Sequence, residues 1–204
     1  MRLYIATENA GKLREMRAIF GAALPAVQLF CIADLPEVKR TAYKAEETAT
    51  TYAGNALIKV KALGPLVGAD AWVLGEDSGF EVEALRGAPG VYSARYAEND
   101  AARCAKILRA LEGMPGKERR AQFVACVALL DPGGNPTLFF GRKTGFVAPA
   151  VKGGNGFGYD PIFCPELGGP TWGELTGAEK NNDSHRSRAL QSVMTYLKSM
   201  EVPG

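Results

Sequence analysis

The sequence predicts an α/β protein, a mixed, twisted sheet with flanking helices that forms two lobes around a central cleft. Three observations carry this. Strand-like runs alternate with amphipathic helical segments from the start of the chain. One pair of long strand segments flanks a tight turn, so antiparallel pairing joins the parallel kind. No linker, repeat or low-complexity stretch divides the 204 residues, a length that fits one two-lobed domain over 1–204.

Residues 2–6 alternate as a first strand. From Lys12 the apolar residues Leu13, Met16, Ile19 and Phe20 recur at helical spacing, so the chain opens strand, short loop, helix. A second helix is expected over 48–63, with Tyr52, Ala56, Val60 and Leu63 inward. Trp72-Val73-Leu74 reads as a short buried strand ending in an acidic turn, Glu76-Asp77-Ser78-Gly79. Asp100 is expected to cap a third helix carrying Ile107, Leu108 and Leu111, which stops near Gly113 and Pro115. Residues 122–130 and 137–147 are strands on either side of Asp131-Pro132-Gly133-Gly134-Asn135, a hairpin signal. A glycine-dense loop follows at 153–158. The last helix is expected after Asp183 or Ser184, burying Leu190, Val193, Met194 and Leu197.

Composition excludes several classes. With 47% hydrophobic and 23% charged residues, the chain is neither disordered, collagen-like nor a coiled coil. Its 24 basic and 22 acidic residues nearly balance and no long basic run occurs, so nucleic acid is not expected as a partner. No apolar run approaches the roughly 20 residues of a membrane span, so no membrane association is expected. The opening apolar run is too short for a signal peptide, which makes the cytoplasm the expected location. The four cysteines, Cys31, Cys104, Cys126 and Cys164, lie far apart and read as reduced, mostly buried small hydrophobes. A single histidine, His185, excludes a multi-histidine zinc site, so any metal is expected to be a hard ion held by carboxylates.

Six segments carry candidate chemistry. Thr7-Glu8-Asn9-Ala10-Gly11-Lys12 lies between the first strand and its helix, where free backbone N–H groups, a hydroxyl, an amide and an ammonium can cradle phosphate. It is not a P-loop, and read alone it is equally a helix capped by Asn9 with a solvated lysine. Glu47, Thr51, Asn55 and Lys59 are four residues apart and form a slanting polar stripe on the second helix, which also suits a plain solvent face. Glu76 and Asp77 are adjacent carboxylates able to hold Mg²⁺ and orient a water, or simply to populate an acidic turn. Residues 87–95 form a glycine- and proline-punctuated loop ending in Arg95, with one anion-capable side chain. In Gly154-Asn155-Gly156-Phe157-Gly158-Tyr159-Asp160-Pro161, glycines expose the Phe157 ring for stacking on a flat heterocycle, unless the loop folds its aromatics inward. Lys180, His185 and Arg186 gather at the start of the last helix, where the macrodipole disfavours cations and an anion would explain them.

Taken in order, these segments are specific. Thr7-x-Asn9-x-x-Lys12 is followed by Glu47, by Asn55-Ala56-x-x-Lys59, by Asp77-Ser78-Gly79, and by Gly87-Ala88-Pro89-Gly90-Val91-Tyr92-Ser93-Ala94-Arg95. Then come Gly156-Phe157-Gly158-Tyr159-Asp160-Pro161-x-Phe163, Glu179-Lys180-Asn181 and Ser184-His185-Arg186. Over nearly its whole length the chain resembles the inosine triphosphate pyrophosphatase family, also called XTP/dITP diphosphatases.

The resemblance implies a homodimer and Mg²⁺-dependent hydrolysis of ITP, dITP and XTP to the monophosphate and pyrophosphate, which cleanses the nucleotide pool. It implies that residues 7–12 bind the triphosphate, joined by Asn55 and Lys59. Asp77 would accept the proton and bind metal, with Glu76 and Glu47 as further metal ligands; Glu46 is an alternative to Glu47, and Glu37 a weaker one. Ser78 would contact substrate. Phe157, Gly158, Tyr159 and Asp160 would hold the base, and Lys180, His185 and Arg186 would close on base and phosphates. The chain departs from the family at Glu8, where glycine is common and a carboxylate must point away from phosphate, and at Glu76, where aspartate is frequent. Two other readings stand beside this one: a related pyrophosphatase acting on pyrimidine or canonical triphosphates, and a non-catalytic nucleotide sensor or nucleic-acid-binding module. The acidic Glu76-Asp77 pair and the balanced charge weigh against the latter.

Overall fold

The computed structural model describes residues 1–200. The chain runs through β1 (Arg2–Ile5), α1 (Ala10–Ala23), β2 (Gln28–Cys31), α2 (Glu37–Ala42), α3 (Tyr52–Leu63), β3 (Trp72–Val82) and β4 (Pro89–Gly90). It continues through α4 (Asp100–Ala110), β5 (Arg120–Leu130), β6 (Pro136–Val147), β7 (Phe163–Cys164), α5 (Gly177–Asn182) and α6 (His185–Met200). The strands order as β2-β1-β3-β5-β6-β7, with β4 paired to β3. β1 is parallel to β2 and β3, whereas β4 and β7 run antiparallel to β3 and β6. The sheet is therefore mixed. The β5–β6 connection is too short for a parallel crossover. Its turn is tied by Asp131 Oδ1 accepting the Asn135 N–H at 2.8 Å.

The chain divides into two units. Among the described residues the first contains Met1–Asp77, Ala125–Gly141 and 186–200; the second contains Ser78–Val124 and Arg142–His185. Strand alternation gives the first unit a core on each face of its sheet. Leu3, Ile5, Leu74 and Val127 pack with Met16 and Phe20 of α1 and with Leu190 and Val193 of α6. On the other face Val73, Cys126 and Ala128 pack with Ala56, Val60 and Leu63 of α3. The second unit buries Phe80, Phe123, Phe163 and Trp172 against Cys104, Ile107 and Leu111 of α4.

Several expectations change. β3 runs on through Glu76, Asp77, Ser78 and Gly79, so the expected acidic turn is the middle of a long strand. The helix expected from 48 begins at Tyr52, because Thr51 caps it by accepting the Gly54 N–H. Asn99 rather than Asp100 caps α4, its side chain accepting the Ala102 N–H at 2.9 Å. Lys180 belongs to the separate short helix α5, closed by a capping box between Thr176 and Glu179. All four cysteines are free and buried, as expected. Among the described residues no helix is long and apolar enough to cross a membrane.

Candidate active site

The first unit places its charged residues beyond the carboxyl end of β1. β1 ends at Ile5, opposite Leu74, and the Ala6 N–H still reaches Leu74 O at 2.7 Å. β3 continues past that point, so Glu76 and Asp77 lie where the loop of residues 7–12 turns into α1. Ligand sites in open α/β sheets favour this position. Adjacent residues of a strand face opposite sides of its sheet. Glu76 therefore follows Leu74 toward α1 and α6, and Asp77 follows Val73 toward α3. The expectation of two side-by-side carboxylates rested on a turn, and the extended backbone parts them.

Glu76 is 1% exposed and its two oxygens accept from Arg186 Nε and Nη2 at 2.7 and 2.8 Å. Arg186 also pairs with Glu15 of α1. Burial opposes the Arg186 charge, but the pull of Glu76 and Glu15 outweighs it and holds the guanidinium well above its ordinary range. Lys12 Nζ stands 3.4 Å from Glu76 Oε1. Burial lowers the Lys12 pKa, with Glu76 pulling the other way and Lys59 adding like-charge repulsion. Arg186, expected at the nucleotide, is thus fully engaged in the core beside β3.

On the other face Asp77 accepts from Asn55 Nδ2 at 3.0 Å and from Lys59 Nζ at 3.3 Å. Lys59 Nζ also donates to Glu76 O at 2.9 Å and to Glu47 at 2.9 Å. Glu47 precedes α3 rather than riding on it, so the four-residue stripe is not a single helical face. It is the extended approach to Thr51 that returns Glu47 to Lys59. Gly75 makes the contact of helix and strand close enough. A Cβ there would meet Val60 Cγ1 at 2.9 Å and Ala56 O at 3.0 Å.

The phosphate-loop residues adopt the geometry of a capped helix start. Thr7 Oγ1 accepts the Asn9 N–H at 3.2 Å, and Asn9 Oδ1 accepts the Lys12 N–H at 3.0 Å. That leaves the N–H groups of Ala10 and Gly11 at the positive end of α1. Glu8 is exposed and interacts electrostatically with Tyr43. Burial, helped by Glu8 and Glu47, pushes the Tyr43 phenol up to about 12.

The second unit gathers the expected base residues around an ion pair. Lys180 Nζ lies 2.5 Å from Asp160 Oδ2, 4.9 Å from the Phe157 ring centre and 5.0 Å from that of Trp172. Asp160 Oδ2 also accepts the Phe157 N–H at 2.9 Å. Gly156 takes φ +77°, and a Cβ there would fall 2.0 Å from that same oxygen. Phe157 remains partly exposed, beside Gly158. Tyr159 turns inward instead, stacking on Phe80 at 4.9 Å and donating its hydroxyl to Ser93 O at 2.8 Å. His185 is 3% exposed and stacks on Phe123 at 4.8 Å. Ser78 is half-buried.

Glu15, Trp172 and Tyr43 also lie beside these groups, though the sequence does not single them out. Glu15 leaves a signal, an acidic residue next to Met16 on the buried side of α1. Trp172 sits in an irregular segment and leaves none.

Among the described residues no three carboxylate, histidine or cysteine side chains converge as a metal cage. Glu47 and Asp77 do converge on one positive charge, the Lys59 ammonium. Two hard oxygen ligands of this kind suit Mg²⁺, which is commonly held by one or two carboxylates together with substrate phosphates and water.

The profile of the Ham1 family matches residues 3–196. A dITP/XTP pyrophosphatase of Leuconostoc mesenteroides is 39% identical over 198 residues, 95% of this chain and 94% of that protein. One of Geobacter sulfurreducens is 43% identical over 200 residues, 96% of each. The Ham1 protein structure of Staphylococcus aureus superposes with a TM-score of 0.82 at 33% identity, over 98% of this chain and all of that one. By profile, sequence and fold alike, the chain belongs to the Ham1 family.

Proposed function

We propose that this protein hydrolyses the non-canonical purine nucleoside triphosphates ITP, dITP and XTP to the monophosphate and pyrophosphate, removing them from the nucleotide pool. The observation that carries the reading is the buried Asp77, held by Asn55 and Lys59 and joined through Lys59 to Glu47. The names of the relatives support the substrate class. The protein acts as a cytoplasmic homodimer on this reading.

Lys12, the N–H groups of Ala10 and Gly11 and the Lys59 ammonium bind the triphosphate oxygens and offset about four negative charges. Asn55 and Lys59 fix the Asp77 carboxylate, whose remaining lone pairs accept the proton of the attacking water. Glu47 and Asp77 would hold Mg²⁺, which when bound would supply Lewis-acid stabilisation of charge on the phosphoryl oxygens. Glu76 serves a different purpose from the expected metal ligand: with Arg186 and Glu15 it fixes the strand that carries Asp77. Phe157 stacks on the purine, and Lys180 and Asp160 meet its polar edge. Most of the rate comes from positioning and fixed charge.

The test is product identity. Purified protein with ITP and Mg²⁺ should release IMP and pyrophosphate in equal amounts. Release of IDP and phosphate, or no turnover with retained binding, would replace this reading with a phosphatase or a sensor.

A further inference from the structure

We propose that Asp100 is a positioning residue for purine recognition, acting through a two-point grip of α4 on the backbone of Gly158. The inference rests on the assignment of Phe157 and its neighbours to the base. Asp100 Oδ2 accepts the Gly158 N–H at 2.7 Å. The Cys104 thiol donates to Gly158 O at 3.4 Å. Residues four apart on a helix lie one above the other, so α4 presents an acceptor and a donor at the spacing of one peptide unit's N–H and C=O. Burial, with Asp100 and Asp160, pushes the Cys104 thiol up to about 11, which keeps its proton available for that bond.

The grip matters because Gly158 takes φ +64°, in a loop where Gly156 and Gly158 have no side chains to anchor them. The loop is also tied by the Phe157 N–H to Asp160, by the buried Tyr159, and by Asn155, whose N–H and side-chain amide donate to Gly173 O at 2.9 Å and Leu175 O at 3.0 Å. Phe157 stands between the Asp160 tie and the α4 grip. Without Asp100 the segment after the ring gains freedom, and the ring must be ordered each time a base binds. That cost falls on substrate binding and leaves phosphoryl chemistry alone. Asp100 is also paired with Arg103 at 2.6 Å. The Arg103 contact stabilises the helix surface and can be removed separately.

The experiment compares Asp100→Ala, Asp100→Asn and Arg103→Ala in the full chain, using steady-state kinetics with ITP and amide hydrogen exchange of the segment 153–160. Asp100→Ala is expected to raise KM about tenfold, the worth of one charge-assisted hydrogen bond, with kcat nearly unchanged. Exchange at Gly158 should accelerate by at least about tenfold. Asp100→Asn keeps an acceptor oxygen without the charge and should recover about half of both effects on a logarithmic scale, and Arg103→Ala should cause neither. Unchanged KM and exchange in Asp100→Ala, or equal effects in Arg103→Ala, would overturn the proposal. Phe157→Ala separates the two readings. Altered purine KM there with an inert Asp100→Ala sinks the grip alone. No effect of Phe157→Ala on purine KM sinks the base assignment, and Gly158 exchange then decides the grip.

Discussion

Lys59 joins two carboxylates that lie far apart in the chain: its Nζ stands 3.3 Å from Asp77 Oδ1 and 2.9 Å from Glu47 Oε1. Removing the Asp77 charge should therefore disable the site without disturbing the core. Asp77→Asn is nearly isosteric, and its amide oxygen can still meet Asn55 or Lys59. Turnover of ITP should fall by about 10²–10⁴-fold, the usual loss on removing a general base. The circular dichroism spectrum should stay unchanged. Retention of more than about a tenth of wild-type kcat would remove Asp77 from that role.

Gly75 sets how closely α3 approaches β3. Gly75→Ala places a methyl 2.9 Å from Val60 Cγ1 and 3.0 Å from Lys59 Cβ. Overpacking of this kind costs about 1–3 kcal/mol. It should also shift Lys59 away from Asp77, so kcat should fall together with the urea midpoint. A variant as stable and active as wild type would mean that the helix yields freely.

Arg186 is the cation shared by the buried carboxylates of Glu76 and Glu15. Removing it leaves Glu76 and Glu15 buried without their cation, and breaking a buried pair this way costs about 3–5 kcal/mol. Arg186→Ala should lower the denaturant midpoint strongly, and Arg186→Lys should recover only part, because an ammonium lacks the planar fork that meets both Glu76 oxygens. A midpoint within experimental error of wild type for Arg186→Ala would return Arg186 to the substrate.

Lys12 supplies a pH signature. Its pKa is lowered by burial, so in the free enzyme it loses its proton below the ordinary 10.5. The charged form binds phosphate, hence kcat/KM should decline on the alkaline side below pH 10.5. Lys12→Arg keeps its charge and should move that decline upward. A profile that does not respond to this substitution would place the phosphates elsewhere.

Much of this was legible in the sequence because it rests on local periodicity and order. The first strand and helix, the cap at Asn9, the β5–β6 turn and the burial of Leu190, Val193 and Leu197 follow from patterns within a few residues. The Glu76–Asp77 segment was misread for a physical reason. Asp, Ser and Gly favour turns locally, but pairing of β3 within the sheet keeps them extended, and extension is what sends the two carboxylates to different faces. The ion pairs of Arg186 with Glu15 and Glu76 are not legible in the sequence, because the three residues are distant there and nothing local marks a buried arginine. The inward turn of Tyr159 likewise depends on Phe80 and Ser93, which only the fold brings near.

Selectivity for the non-canonical purine edge is read by kcat/KM for ITP against ATP under identical Mg²⁺. On the proposed reading a ring such as Phe157 would stack on both bases alike, so discrimination would fall to the polar pair beside it, Lys180 and Asp160. The Lys180 ammonium would meet the keto oxygen of hypoxanthine and oppose the amino group of adenine, donor against donor. ITP should be preferred by at least about a hundredfold, since a site built to bond one edge leaves buried groups unpaired with the other. Comparable values for the two triphosphates would contradict it and make this chain a general nucleoside triphosphate pyrophosphatase.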